Sequence, residues 1–390
     1  MKKKRKIVKK RHSFFRKILA PVGKVIATLY KFKCQKFKIK KGEQYLILAN
    51  HQTLLDPVLV SMSFNKHLYI VSSDHIFNKS LGSRLLQHAL SPIKKKKATT
   101  DILFIRNMLE ISKAGGNILM FPEGNRAWAD FQFYIDPAVC KLVRMLNLPV
   151  ILYNLNGGYG VEPRWSDKKR KGKFYGSIKR VISTEEISEM TNEQLCDCII
   201  NGLRVIDSEA GEKYKSKNRA EYLERAVFVC PNCKSEGELK SSGNHITCNS
   251  CGLKVEYTED LLLKSEDKKF KFNKLIDWYD FQREYIKSYK ITPLEIIFKD
   301  DDVKIIDKTT EKRKLLDVGE MILTDKFFTV GKIKIDIDDI SSYSVIGGRK
   351  IIVNTQQKSY FIVGNERFNP IKYVLMMNKL SNKINDKYYA

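Results

Sequence analysis

Tyr45-Leu46-Ile47-Leu48-Ala49-Asn50-His51-Gln52-Thr53-Leu54-Leu55-Asp56-Pro57 decides the reading of the first half of the chain. The run Tyr45–Ala49 is short, continuous and apolar, which predicts a buried strand. That strand delivers a histidine and an aspartate, five positions apart, to its carboxyl end. A histidine ordinarily titrates at about 6.5, so its neutral ring can accept a proton at cellular pH. A carboxylate on the other ring nitrogen fixes the tautomer and stabilises the charged form, as in the base-and-orienter half of a catalytic triad. No Ser or Cys nucleophile accompanies His51 and Asp56, so the nucleophile is expected to come from the substrate.

A second run has the same design. Gly116-Asn117-Ile118-Leu119-Met120 reads as a buried strand and enters Phe121-Pro122-Glu123-Gly124-Asn125-Arg126. Pro and Gly there predict a sharp turn, which holds a carboxylate and a guanidinium at the strand's carboxyl end, where open α/β sheets place their ligands. Together, NHQTLLDP and FPEGNR resemble the first and third sequence blocks of the glycerolipid acyltransferase family, NHxSxxD and FPEGTR or FPEGSR. The resemblance continues through Leu148-Pro149-Val150-Ile151-Leu152 and Lys173-Phe174-Tyr175-Gly176-Ser177-Ile178, and covers about residues 40–210, a little under half of the chain.

The resemblance implies an α/β acyltransferase-like domain that moves a fatty acyl group from a thioester to the hydroxyl of a lysophospholipid, with 1-acyl-glycerol-3-phosphate giving phosphatidic acid. The donor it implies is acyl-CoA or acyl-ACP. His51 is then the base and Asp56 its partner, while Glu123, Gly124 and Arg126 contact the glycerol phosphate of the acceptor. The family's second block carries an Arg after an apolar-Pro-apolar signature. Here Ser91-Pro92-Ile93 is followed by Lys94-Lys95-Lys96-Lys97, so Lys94 is the counterpart, a point charge without the Arg fork. Phe104-Ile105-Arg106 is not that block, because Ile102, Ile105, Met108 and Leu109 recur at helical spacing.

Charge is uneven along the 390 residues. The net charge is +27, and residues 1–42 hold 17 Lys/Arg with no acidic residue, which leaves +10 for the other 348. On a helical wheel Phe14, Phe15, Ile18, Leu19, Val22, Val25, Ile26, Leu29 and Tyr30 share one arc of about 160°, opposite Arg16, Lys17, Lys24 and Lys31. Ser13 is the expected N-cap, and Pro21 predicts a kink or two short helices. Such a basic amphipathic segment suits a membrane interface with anionic lipids, and Lys2–Lys6 and Lys9–Arg11 add attraction. Docking of the apolar arc on the protein's own core is the simpler fate for it. No run reaches 18 uncharged apolar residues, so no membrane-spanning helix is expected. The expected location is the cytoplasmic face of a membrane, peripheral or monotopic.

Cys230-Pro231-Asn232-Cys233 and Cys248-Asn249-Ser250-Cys251 are two C-x2-C knuckles. Four thiolates in that spacing suit a closed, structural Zn site, a zinc ribbon with Gly252 in a tight turn. Cys34, Cys140, Cys196 and Cys198 form no ligand cluster and are expected to be free thiols.

The expected organisation is a membrane-interface segment (1–40), the acyltransferase domain (41–225), the zinc ribbon (226–257), a helical connector (258–291) and an all-β domain (292–390). In the last part the hydrophobic period changes to two. Short strands are expected at 295–299, 303–306, 312–315, 320–323, 328–331, 333–337, 342–346, 350–354 and 359–363, with a helix from Pro370 to Leu380. This element order resembles a small PH/GRAM-like barrel. The rival functional reading is a basic zinc-ribbon protein that binds nucleic acid on a catalytically inactive α/β scaffold. It explains the charge and the four cysteines, but it leaves HxxxxD and FPEG to chance.

Overall fold

The computed structural model describes residues 8, 10–73, 91–95, 102–132, 134–310 and 313–381. The lysines of 2–6, Lys9 and Lys96–Lys97 lie outside them. The chain divides into two compact units. The first comprises residues 1–127, 131–161 and 172–212, and the second comprises 128–130, 162–171 and 213–390.

The first unit opens with α1 (Lys10–Leu29) and β1 (Phe32–Cys34), followed by β2 (Leu46–Ala49), α2 (Asp56–Ser61), β3 (Leu68–Ser73) and β4 (Ile93–Lys95). Next come α3 (Ile102–Lys113), β5 (Asn117–Met120), α4 (Ala138–Leu146), β6 (Val150–Asn156) and the single-turn α5 (Gly158–Val161). β7 (Phe174–Ile182), α6 (Thr184–Glu189) and α7 (Asn192–Leu203) complete it. Among the described residues the strands form one sheet in the order β1-β7-β6-β2-β5-β3-β4. β2 is parallel to both β5 and β6, and β3 is parallel to β5 and β4, whereas β7 runs antiparallel to β6.

Both faces of the sheet are covered, which is why β2 and β5 are unbroken buried runs rather than alternating ones. Leu46, Leu48, Ile118, Met120, Val150 and Leu152 form one face and pack with Phe104, Met108 and Ile111 of α3, Val143 of α4 and Leu195 and Ile199 of α7. The alternate residues Ile47, Leu119, Ile151 and Tyr153 are also fully buried, and α2 packs against β6. α3 confirms the helical reading of 102–109. Arg106 on it is exposed and pairs with Glu110 one turn on. α6 and α7 each begin with a capping box, Ser183 with Glu186 and Thr191 with Gln194.

Three expectations for this unit change. Of the two alternatives for Pro21, two short helices are not formed, and α1 is one helix through it. Pro21 lies on the solvent side, as does Lys17, whose carbonyl the proline leaves without a donor, so water can satisfy it. Ser13 lies inside α1 rather than capping it, because the buried His12, with Nδ1 2.8 Å from Tyr69 Oη, anchors an earlier first turn. Cys140 and Cys196 are joined in a disulfide rather than free. α4 packs against α7 and brings their Cα atoms to 5.6 Å across 56 positions of sequence, a proximity that spacing alone does not reveal.

α1 also divides its apolar arc. Gly23 on its inner side lies against Met62 and Val58, and Ala27 and Tyr30 are buried. On the outer side Phe14, Ile18, Val22, Val25 and Leu29 are 61, 53, 54, 60 and 72% exposed. No described helix is long and apolar enough to cross a membrane.

In the second unit β8 (Leu239–Ser242), β9 (His245–Cys248), β10 (Lys254–Tyr257) and β11 (Leu263–Lys264) form a small antiparallel sheet in the order β11-β10-β9-β8. α8 (Leu275–Ser288) follows, with Leu275, Trp278 and Tyr279 buried as packing residues. Its Trp278 Nε1 donates to Val229 O at 2.8 Å, and Gln282 accepts from Phe228 N and donates to Ala226 O. β12 (Phe298–Asp307), β13 (Lys314–Leu323), β14 (Phe327–Val330), β15 (Ile333–Asp336), β16 (Ile340–Ile346), β17 (Lys350–Thr355) and β18 (Ser359–Val363) follow in turn. They form an antiparallel sheet in the order β15-β14-β13-β12-β18-β17-β16, and α9 (Pro370–Leu380) ends the described chain. The all-β region therefore has seven described strands rather than nine. Asp300–Asp302 and the polar stretch around Val318 are not turns between strands. They are irregularities within β12 and β13, with a register shift between Asp300 and Val303 and Asp302 at φ +56°. The expected Gly347-Gly348-Arg349 turn does join β16 to β17.

Candidate active site and cysteine cluster

His51 leaves the carboxyl end of β2 and Asp56 begins α2, so the intervening loop folds back on the carboxylate. His51 Nδ1 lies 2.9 Å from Asp56 Oδ2. The same oxygen accepts the backbone N–H of Gln52 at 2.6 Å and of Thr53 at 2.8 Å, and Thr53 Oγ1 donates to Asp56 Oδ1 at 2.5 Å. The Asp56 side chain is fully buried while His51 keeps 22% of its surface. A buried carboxylate is costly unless donors surround it, and this loop supplies four. The result is a fixed carboxylate behind a partly accessible imidazole.

Neighbouring side chains hold the loop. Asn50 donates from Nδ2 to Leu155 O at 2.9 Å and accepts Leu155 N at 2.7 Å, tying it to β6. Gln52 Oε1 accepts Gly158 N at 2.8 Å. The Phe121 ring packs on the His51 ring with centroids 4.7 Å apart.

β5 is the immediate neighbour of β2 and runs parallel to it, so the FPEGNR turn emerges beside His51. Gly124 N bonds Phe121 O, closing the turn, and Gly124 adopts φ +68°, the left-handed conformation that glycine accommodates without strain. Glu123 is buried and its Oε1 accepts the His51 backbone N–H at 3.1 Å. Its carboxylate thus also braces the His51 main chain, a role that no sequence motif reveals. Arg126 is half-buried on the same turn, and its N–H donates to Asn125 Oδ1. Lys94 lies elsewhere. It is exposed on the edge strand β4, opposite Ser72 of β3, three strands from β2. At about 4.8 Å per strand that is roughly 14 Å to the side, at the same end of the parallel strands.

In the second unit the four knuckle cysteines converge. Their Sγ atoms all lie within 4.8 Å of one another, with Cys230–Cys251 at 3.6 Å and Cys233–Cys248 at 3.7 Å. A Zn–S bond of about 2.3 Å in a tetrahedron requires sulfurs roughly 3.8 Å apart, so the set fits a small tetrahedral ion. The two knuckles fold alike. Lys234 N bonds Cys230 O and Gly252 N bonds Cys248 O, each at 2.9 Å, with Lys234 at φ +61° and Gly252 at φ +75°. Hydrogen bonds from Ser235 bring the Cys233 thiol down to about 6, whereas burial pushes Cys230 and Cys251 up. The cluster can hold a metal ion.

Residues 31–151 match the family model described as Acyltransferase, an interval that contains His51, Asp56, Lys94 and the whole FPEGNR turn. No curated protein matches the chain. Among solved structures the chain is similar to the 1-acyl-sn-glycerophosphate (LPA) acyltransferase PlsC from Thermotoga maritima, with 19% identity, a TM-score of 0.42 and coverage of 50% of this chain and 80% of that one. HxxxxD and FPEG both fall inside the matched interval, so within the first unit residues 31–151 match an acyltransferase domain.

Proposed function

We propose that this protein is an O-acyltransferase that moves a fatty acyl group from an acyl thioester, acyl-CoA or acyl-ACP, to a lysophospholipid, with 1-acyl-glycerol-3-phosphate giving phosphatidic acid. The observation that carries this reading is the His51–Asp56 pair, a buried carboxylate held against an accessible imidazole. With Nδ1 facing Asp56, Nε2 is the nitrogen left for the acceptor hydroxyl. As the hydroxyl oxygen attacks the thioester carbon, His51 takes its proton and Asp56 stabilises the imidazolium. The tetrahedral intermediate then collapses, the C–S bond breaks, and His51 returns the proton to the leaving thiolate. The thioester is already activated, so no acyl-enzyme is required. Base assistance of this kind contributes about 10²–10⁴-fold in rate. Positioning of the acceptor and stabilisation of the oxyanion supply the remainder. Glu123, Gly124 and Arg126 bind the glycerol phosphate, and Arg126 offers the planar fork that phosphate accepts. Lys94 adds positive charge farther along the same sheet end. The nucleic-acid reading is not favoured, because the family match falls on the motifs it leaves to chance.

We further infer that α1 lies in a membrane interface. Its outer stripe from Phe14 to Leu29 is apolar and exposed, and the first 42 residues are strongly basic, as attraction to anionic lipids at the cytoplasmic face requires. The inner side of the same helix docks on the protein, so the protein would be peripheral or monotopic. The cysteine cluster would hold a structural Zn ion. Four cysteine ligands leave no open position for a substrate, and the ion would tie two knuckles that otherwise rest on a small sheet. The all-β region would be PH/GRAM-like, with the five-part division of the chain given above.

Three experiments test these readings. Purified protein given acyl-CoA or acyl-ACP with a lysophospholipid panel is expected to form phosphatidic acid from 1-acyl-glycerol-3-phosphate, detected by mass spectrometry. Absence of acylated product from every acceptor would refute the activity. Replacing Phe14, Ile18, Val22 and Val25 by Ser is expected to weaken binding to anionic vesicles at least tenfold and to leave a residue of binding that falls with salt. Unchanged binding would remove α1 from the interface. Metal analysis is expected to find bound zinc that is lost in the Cys233→Ser/Cys251→Ser variant. A protein purified without metal, and unable to take up zinc after reduction, would overturn the assignment.

A further inference from the structure

Asp207 lies beyond the segment that matches the family model and in no motif, yet it is 1% exposed and its carboxylate is directed at the glycine turn after β6. Oδ1 accepts Gly157 N at 2.7 Å and Oδ2 accepts Gly160 N at 3.0 Å. Gln52 Nε2 lies 3.4 Å from Oδ1, and Gln52 Oε1 accepts Gly158 N at 2.8 Å. One carboxylate and one amide side chain therefore occupy three donors of this turn. The turn requires its glycines for this. Gly157 has φ +90°, and a Cβ on Gly158 would stand 2.6 Å from Gln52 Oε1. Gly157, Gly158 and Gly160 consequently spend their N–H groups inside the protein and offer none of them to a developing oxyanion, so these three amides form a fixed wall.

Gln52 connects this wall to the reacting pair. Its side chain is held by Asp207 and Gly158, while its backbone N–H donates to Asp56 Oδ2 at 2.6 Å, the oxygen that faces His51. We propose that Asp207 is a positioning residue for acyl transfer, acting through Gln52 to fix the loop that carries His51 and Asp56. This rests on the acyl-transfer reading above. Asp207 reaches the reacting pair through the Gln52 side chain. Its effect is on where Gln52 holds the main chain that presents Asp56. Small displacements of reacting groups by distant substitutions can cost about 10²-fold in rate.

The test is a double-mutant cycle in the full-length protein, assayed with acyl-CoA and 1-acyl-glycerol-3-phosphate. Asp207→Ala is expected to lower kcat about 10²-fold with KM for both substrates within about twofold, and Asp207→Asn, which keeps one acceptor oxygen, to restore about tenfold of that loss. Gln52→Ala alone is expected to lower kcat about tenfold, and adding it to Asp207→Asn to cost less than about twofold more. Losses that multiply, or a kcat unchanged in Asp207→Asn, would overturn the proposal. Should Asp207→Ala not fold, the Asn variant and the cycle with Gln52→Ala carry the test. If the wild type acylates no acceptor, the activity reading fails by itself, and amide hydrogen exchange then decides the positioning claim. Asp207→Asn is expected to speed exchange at Gln52 and Thr53 as well as at Gly157–Gly160. Acceleration confined to the glycine turn would overturn it.

Discussion

The buried Asp56 carboxylate is the constraint on which the first unit's site depends. An ionised carboxylate without solvent is stable only if hydrogen-bond donors replace the water it loses. The Gln52 and Thr53 amides, the Thr53 hydroxyl and the His51 ring are those donors, and together they use both oxygens. To bring two consecutive amides onto one oxygen the chain must turn sharply between β2 and α2, and that turn leaves His51 at the surface end of the sheet. Asp56 also begins α2, where the helix dipole favours negative charge. The orientation of the His51 ring is thus a consequence of satisfying a buried charge.

Parallel pairing supplies the rest of the geometry. Because β5 lies beside β2 in the same direction, the turn that follows β5 reaches the same end of the sheet as His51. β6 flanks β2 on the other side and contributes Leu155 and the glycine turn. The His51 loop is therefore braced from both neighbouring strands, by Glu123 on one side and by Leu155 with Gly158 on the other. The long sequence separations of these contacts, 72 to 106 positions, mean that the site exists only when the central strands are paired. In the second unit the cysteine cluster depends on local geometry instead. Each knuckle is a short turn with its own positive-φ residue, and the pairing of β9 with β8 and β10 brings the two together.

The legible parts of the chain were those with short-range signatures. His51 and Asp56 are five positions apart at the end of an apolar run, and the FPEG turn and the two knuckles declare themselves through Pro, Gly and Cys spacing. The bracing residues were hidden for a physical reason. Asp207 meets Gln52 across 155 positions, and nothing in its neighbours marks it as buried. The Cys140–Cys196 disulfide is likewise set by how α4 and α7 pack. Periodicity identified the apolar arc of α1 but could not say that Gly23, Ala27 and Tyr30 would face inward while Phe14 and Leu29 would not, because that depends on the neighbouring α2 and β1. In the all-β region polar residues within β12 and β13 imitated turns, since a bulge tolerates the same residues that a turn prefers.

The most direct measurement is the rate of acyl transfer by His51→Ala beside the wild type, with folding of both verified by circular dichroism. His51 as general base predicts a fall of about 10²–10⁴-fold in kcat with the fold retained. A folded His51→Ala protein that transfers the acyl group within about twofold of the wild-type rate would contradict the assignment of His51 as the base.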